Sequence, residues 1–424
     1  MKQFQKEFNA LLEYWPDEDR EFRELRLKAF DQFKKIGFPT KKWEEWQFTD
    51  FSLIKNSDFH LSWDSDIPTI PKNIPGRIQD TYLILIVNGH YQPQLSDIPD
   101  EVSVVKRKEH FKKNPELYSI ESSSNPFLSL NTSMMNSGLP IYIKENAIIK
   151  RPLQIIYLTT NLSAKLMNHP RFSCQIGENA EATIIEHYTG STSSPYFTNA
   201  VSSINLEKNS RLNHIRIQEE DLNSNHTAFT SYTLDNQSQL EATYISSGSL
   251  LFRHNVKLIL KNKGANATVN GLSLTKTNQH HDQHIIVDHA SDSCQSDQLF
   301  KYILSDRSSG VFNGKVIVRE KTKQTNANQS NKNLLLSPNA LMNANPQLEI
   351  YADDVKCSHG STTGQIDSEA LFYLRSRGIS QQRAMELIVS GFAKDIIDYI
   401  KNTDIKSYIS EYVFNWLEGS MKNV

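Results

Sequence analysis

The stretch IGENAEATIIEHY, Ile176 to Tyr188, begins with an aliphatic residue, turns through Gly177, Glu178 and Asn179, and then alternates. Alternation is the mark of a half-buried strand, and Gly and Asn ahead of it are corner residues. The same design returns as LEKNSRLNHIRIQ from Leu206, LDNQSQLEATYIS from Leu234 and LKNKGANATVNGL from Leu260. These copies start 30, 28 and 26 positions apart (176 to 206, 206 to 234, 234 to 260). A fifth, more divergent copy, LSDRSSGVFNGKV, starts at Leu304. Such a period predicts stacked coils rather than a closed sandwich. A β-helix suits it best, with short strands, tight polar corners and a filled apolar interior. A β-sandwich stays open, because turn spacing alone does not exclude it. Asparagines crowd NANQSNKNLLLSPNALMNANPQ, Asn326 to Gln347, where stacked amides predict ladders between successive coils.

The flanks have a different texture. From residue 1 to about 48 the pattern is helical: Phe4, Phe8, Leu11 and Leu12 recur at one spacing, and Phe22, Leu25, Leu27, Phe30 and Phe33 follow. Pro16 separates the two runs and GFPT, Gly37 to Thr40, ends the second. An unusually aromatic segment, KKWEEWQFTDF, and a Pro-rich bridge, DIPTIPKNIP, lead into the middle. From about Leu83 to Ile366 helical periodicity is almost absent. After Asp367 it returns: DSEALFYLRSRGIS has Asp367 at an N-cap and Gly378 at a C′ position. The next helix is capped by Ser380, with Ala384, Leu387, Ile388, Phe392 and Ile396 on one face, and DIKSYISEYVFNWLEG follows. These C-terminal helices either seal an open sheet edge or dock a partner. The expected division is 1–80 helical region and linker, 81–366 β-helix core, and 367–424 helical domain.

Composition narrows the function. The 424 residues hold 46 Lys and Arg against 48 Asp and Glu, which leaves no basic field for nucleic acid and no polybasic membrane footprint. The longest apolar run, YLILIV from Tyr82, is far short of a membrane span, and the charged, periodic N-terminus lacks a signal-peptide core. A cytoplasmic soluble protein is expected. No GxSxG or GxGxxG is present. GVFNGK, Gly310 to Lys315, is one residue too short for a phosphate loop and ends in Val316, so no nucleotide site is expected on this chain. The acidic runs Glu219-Glu220-Asp221 and Asp353-Asp354 read as a solvated turn and a strand corner.

Two segments carry metal-type side chains. HHDQHIIVDH, His280 to His289, would put His280, Asp282 and His284 on one face of a strand and His281 and His289 on the other. Zinc or iron is chemically open to it, although imidazoles in a solenoid core or corner are commoner than ligands. In YADDVKCSHGSTTGQ, Tyr351 to Gln365, Asp353-Asp354 reads as a corner, after which Val355, Cys357 and His359 share a face. Cys357 and His359 would stand about 7 Å apart at Cα, close enough to converge on one metal. Two donors do not complete a site, and a small buried thiol beside a satisfied imidazole is the plainer alternative. The three cysteines, Cys174, Cys294 and Cys357, form no CxxC pair, so the chain cannot build a four-thiolate cluster alone.

NPQLEIYADDVKCSHGSTTGQID, EALFYLRSRGIS and SDQLFKYILSDRSSGVFNGKV resemble signature blocks of the SUF (SufB/SufD) family of iron–sulfur cluster assembly scaffolds. The resemblance spans roughly Asn270 to Phe392. It extends weakly to the N-terminus, where Pro39, Glu44, Trp46, Phe48 and Thr49 match a Pro…Glu-x-Trp-x-aromatic-Thr element. Length and that element favour the SufD branch. SufB-type chains carry extra N-terminal cysteines, and none precedes Cys174 here. The resemblance implies a right-handed parallel β-helix flanked by helical domains and a non-enzymatic scaffold in a SufBCD-type complex. It implies pairing with SufB through the β-helix cores, and a SufC ATPase on the C-terminal helices. His359, with Cys357 beside it, would support a nascent iron–sulfur cluster shared with SufB at that interface. Three alternatives stay open: a structural clamp without metal contact, a carbohydrate-active β-helix enzyme, and a homodimer when the chain is isolated.

Overall fold

The computed structural model describes residues 1–63, 70, 73–118, 125–160, 165–191 and 194–421; most of the Pro-rich bridge lies outside them. The strands that build the middle are, in chain order, β1 (Tyr82–Val87), β2 (Ser137–Ile143), β3 (Leu153–Thr160), β4 (Pro170–Ile176), β5 (Glu181–Ser191) and β6 (Phe197–Leu206). They continue with β7 (Arg211–Glu219), β8 (Asn225–Leu234), β9 (Gln239–Ser246), β10 (Leu251–Leu260), β11 (Asn266–Thr275) and β12 (His280–His289). The last are β13 (Gln295–Leu304), β14 (Ser309–Val318), β15 (Thr325–Leu335), β16 (Leu341–Ile350) and β17 (Val355–Gln365). Odd strands pair in sequence in one sheet and even strands in the other. Every one of these pairings is parallel. The chain therefore winds as a parallel β-solenoid, and the sandwich alternative is excluded.

Register explains the repeat. Ile176, Leu206, Leu234 and Leu260 are in-register neighbours on successive even strands, each ending its strand before the tight corner. The copy at Leu304 is different: Leu304 ends an odd strand, so that segment turns the opposite corner of the coil. The true next copies begin at His289 and Val318, where the aliphatic signal is broken by a histidine. Inward positions stack into columns such as Ile204, Tyr232, Leu258, Val287 and Val316, all buried. Full burial of each such side chain contributes about 1.5–3 kcal/mol, so the columns hold successive coils together.

Both outer faces are covered by helices. Helices α1 (Lys2–Tyr14) and α2 (Arg20–Ile36), with α3 (Pro126–Met134), pack Phe4, Phe8, Phe30, Phe33, Trp46 and Phe127 onto Phe197 and Leu251 of the even sheet. Leu27, expected on that core face, is 42% exposed. On the odd sheet, α4 (Ser368–Ser376), α5 (Gln381–Ile397) and α6 (Thr403–Met421) are laid along the outer face. Val389, Ala393, Ile396, Ile409 and Val413 meet Ile215, Ile245, Leu272 and Ile303 there. The C-terminal helices thus cover a face rather than sealing an edge. The caps at Asp367 and Ser380 are as expected, each side chain accepting a backbone N–H, and Gly378 has φ +84°. The buried stripe of α5 includes Ala384 and Ile396 as expected but also Met385, Val389 and Ile397, while Leu387 is 42% exposed.

Two further expectations need correction. The middle is not free of helix, since Arg107–Lys113 and the wholly buried α3 interrupt it before β2. Glu219-Glu220 is not a solvated turn. Glu219 joins His187 (2.7 Å) to the Tyr408 hydroxyl of α6 (2.7 Å), and buried Glu220 accepts from Thr198 (2.7 Å) and Gln218 (3.0 Å) beside His226. Acidic residues at a corner are held by what packs across it, and a linear reading does not see that partner.

Candidate functional site

The solenoid ends on β16 and β17, and no described part of the chain stands on them. Along β17, Val355, Cys357, His359, Ser361 and Thr363 continue the inward row that on β15 is Thr325, Ala327, Gln329, Asn331 and Asn333. That β15 row is buried by the coil above it; on β17 Cys357 is only half-buried and His359 is exposed. The expected corner lies between Ile350 and Val355, and the shared face of Cys357 and His359 is as read from the alternation. Cys357 packs toward Val316, Val318, Ala327 and Leu348, an apolar setting that pushes its thiol above the ordinary value. It is therefore a thiol in the isolated chain, and a cation brought to it would be needed to make the thiolate.

Nothing among the described residues completes a site. Among the described residues no three His, Cys, Asp or Glu side chains converge as metal ligands. Cys174 and Cys294 are buried in the core, Cys174 on β4 and Cys294 immediately before β13, two strands up the odd sheet from β17. The row offers two donors of the iron-binding kind, one sulfur and one imidazole nitrogen, facing outward along the solenoid axis.

The His280–His289 segment is an extended strand, and its side chains divide between the two faces as expected. It is nonetheless an anchor. His280 has both ring nitrogens engaged, Nε2 with Thr49 Oγ1 (2.9 Å) and Nδ1 with Ser309 Oγ (2.7 Å). Asp282 pairs with buried Arg253 and accepts from Thr49 (2.5 Å), and His284 Nε2 lies 3.0 Å from its other oxygen. Burial alone would raise the Asp282 carboxyl, but Arg253 and then His284 more than offset it and hold it well below the usual range. His281 and His289 point inward to Gly248 O (2.9 Å) and Ser296 Oγ (2.8 Å).

The same node accounts for the aromatic N-terminal element. Trp46 lies 4.0 Å from the Arg253 guanidinium carbon, and Arg253 donates to Glu45 O (2.9 Å). Pro39 is buried. Glu44 and Phe48 instead line a polar cleft of about 310 Å³ with His284, Asn313 and Asn345.

The linear reading missed a buried polar network inside the solenoid. Glu186 accepts from Tyr188 (2.6 Å) and Ser202 (2.9 Å) and lies 3.1 Å from His214, which contacts Tyr232 (2.5 Å); Tyr232 in turn meets Tyr244 (2.9 Å). Aligning the coils by register would have exposed it, because Glu186, Tyr188, Ser202, His214, Tyr232 and Tyr244 all fall on inward columns. At the other extreme, Phe372 and Tyr373 on α4 are 73% and 57% exposed, a pair of aromatics left in solvent.

Comparison with known proteins fits this architecture. Residues 158–392 match the family described as SUF system FeS cluster assembly, SufBD core domain, and residues 2–155 match the SufBD protein N-terminal region. The chain is 32% identical over 397 residues to the iron–sulfur cluster assembly protein SufD of Escherichia coli, covering 92% of each chain. A SufBD family protein of Synechocystis is 30% identical, with 92% of this chain and 89% of the relative covered. The chloroplastic protein ABCI7 of Arabidopsis thaliana is 29% identical over 94% of this chain and 86% of its own length. The two domain matches and the near full-length similarity to SufD chains show that this protein belongs to the SufBD family of iron–sulfur cluster assembly proteins.

Proposed function

We propose that the chain is a non-enzymatic scaffold subunit that supplies half of a nascent-cluster site and takes the other half from a SufB-type partner. The observation that carries this reading is the uncapped last coil, with Cys357 and His359 side by side on its inward row. A thiol and an imidazole are iron-type donors, and two of them hold a metal too weakly to retain it alone. A site divided between chains can form when the interface closes and release its cargo when it opens. The half-buried row of β16 and the largely exposed row of β17 supply the surface on which such a partner would continue the solenoid.

The energy source belongs to another subunit, a SufC-type ATPase docked on the C-terminal helices. Phe372 and Tyr373 favour α4 as part of that contact. Only Ile366 and Asp367 separate β17 from α4, so a load on α4 is delivered to the strand that carries Cys357 and His359. His359 is already exposed in the single chain, so the load would act by moving the interface rather than by unmasking the side chain.

The test is His359→Ala in the complex reconstituted with SufB-type and SufC-type partners. Cluster yield should fall about tenfold or more. The chain should still fold, because His359 is exposed and contributes little packing. Full cluster yield in this variant would remove the site from His359.

A further inference from the structure

We propose that Gln329 is a positioning residue for His359: its side-chain oxygen accepts the imidazole N–H, fixes the ring tautomer and leaves the other ring nitrogen free to bind cargo. This inference rests on the reading of His359 as a donor at the nascent-cluster site.

Gln298, Gln329 and His359 occupy the same inward column on β13, β15 and β17, each in register with the next. Neighbouring strands stand about 4.8 Å apart, so consecutive side chains in the column touch. The Gln329 amide is buried, and its Nε2 donates to Gln298 Oε1 at 3.3 Å. That bond turns the amide so that Nε2 points back into the solenoid. Gln329 Oε1 is left buried with no hydrogen-bond partner, and His359 is the next residue in its column. A buried carbonyl oxygen without a donor costs about 1–3 kcal/mol, and the next group in the column is an imidazole that can donate.

The facing sheet is shaped for this amide. A Cβ on Gly314 of β14 would overlap the Gln329 carboxamide, so the glycine makes the room in which the amide lies. Asn331 and Asn333 fill the neighbouring columns and are tied to the last strand, by Ser361 Oγ donating to Asn331 Oδ1 (3.0 Å) and Asn333 Nδ2 donating to Thr363 Oγ1 (3.0 Å). These two pairs of the last coil thus already have their amide partners, and Gln329 with His359 is the next pair along the strand, beside Asn331 and Ser361. Imidazoles that bind metals commonly donate their second N–H to a carbonyl, which sets the tautomer and orients the ring.

The experiment uses the full chain labelled with 15N-histidine, the His359 signals being identified by their loss in His359→Gln. The expected result is one dominant tautomer, protonated on the nitrogen facing Gln329. Gln329→Met should convert it to a mixture, and Gly314→Ala should do the same by displacing the amide from the opposite sheet. Gln329→Glu should restore the single tautomer, because the carboxylate accepts and Gln298 can turn its unpartnered Nε2 toward it. In the reconstituted complex Gln329→Met should lower cluster formation by roughly 10–100-fold, with recovery in Gln329→Glu. An unchanged tautomer in both Gln329→Met and Gly314→Ala overturns the proposal, and so does a ring unprotonated on the nitrogen facing Gln329. If His359→Ala keeps full yield while the tautomer shifts as expected, the site reading fails and the pairing stands.

Discussion

Asn146, Asn179 and Asn209 sit at successive tight corners with φ of +61°, +59° and +58°, and Gln237, Ser293 and Gln324 hold the same left-handed conformation further along. The conformation turns each backbone N–H along the solenoid axis. Asn179 N–H reaches Lys208 O (3.0 Å), Asn209 N–H reaches Asn236 O (2.9 Å) and Gln237 N–H reaches Lys263 O (3.1 Å). Corner peptides are thereby satisfied by the following coil. The Asn side chains add a second ladder, Asn209 to Asn179 (3.1 Å) and Asn179 to Asn146 (2.9 Å). Asparagine tolerates this region because its short amide bonds locally, whereas a β-branched residue does not. Asn209→Val should cost about 1–2 kcal/mol in urea unfolding, and Asn209→Gly much less. Equal losses for Val and Gly would mean that the side-chain ladder, not the backbone conformation, is the larger contribution.

The amide ladder expected in the Asn-rich segment takes a different form at the scale of the elements. On β15 the odd asparagines point inward and brace β17, while Asn328 points outward, donating to Asp297 (3.0 Å) and accepting from Ser358 (2.8 Å). The two edge strands also differ. Pro346, within β16, removes one backbone donor from the even-sheet edge, and β17 contains no proline. The Glu45–Thr49 segment is held on the even sheet by one buried ion pair, Arg253 with Asp282. Asp282→Ala leaves Arg253 charged, buried and without its carboxylate, which costs about 3–5 kcal/mol. Combining it with Arg253→Met should recover most of that loss, as removing both charges avoids the stranded one. Denaturant titration of the three proteins checks this, and a double variant no more stable than Asp282→Ala would contradict it.

Across the whole molecule the buried histidines make stability depend on acid. Burial lowers His281 to about 3 and His169 to about 3, and with Arg171 nearby it lowers His110 to about 4. Each is neutral in the fold and has an ordinary value near 6.5 in the unfolded chain. A folded-state value below the unfolded one means that the contribution is complete above about pH 6.5. It is lost as pH falls toward 3–4, because only the unfolded chain takes up the proton. Asp282, held low chiefly by Arg253 against its burial, adds to the loss below about pH 4. The melting temperature should therefore be flat from pH 8 to about 7 and fall steadily below about 6.5. His281→Gln should flatten part of that fall by removing one such group, and a melting temperature constant down to pH 5 would refute the account.

The sequence alone determined a mainly β middle of repeated corners and alternating strands, and the parallel pairing of the tertiary structure decided for a solenoid over a sandwich. The sequence also determined the flanking helices, their caps at Asp367 and Ser380, and the common face of Cys357 and His359, because these follow from local periodicity. Only the tertiary structure decided which coil is last. The exposure of His359, the stacking of Gln329 beneath it, and the use of His280 and Asp282 as anchors all depend on residues brought together from distant positions. Thr49 meets Asp282 across 233 positions, and Tyr408 meets Glu219 across 189. Local pattern sets which way a side chain points from its strand. What it meets there is set by winding and by the helices laid over each face.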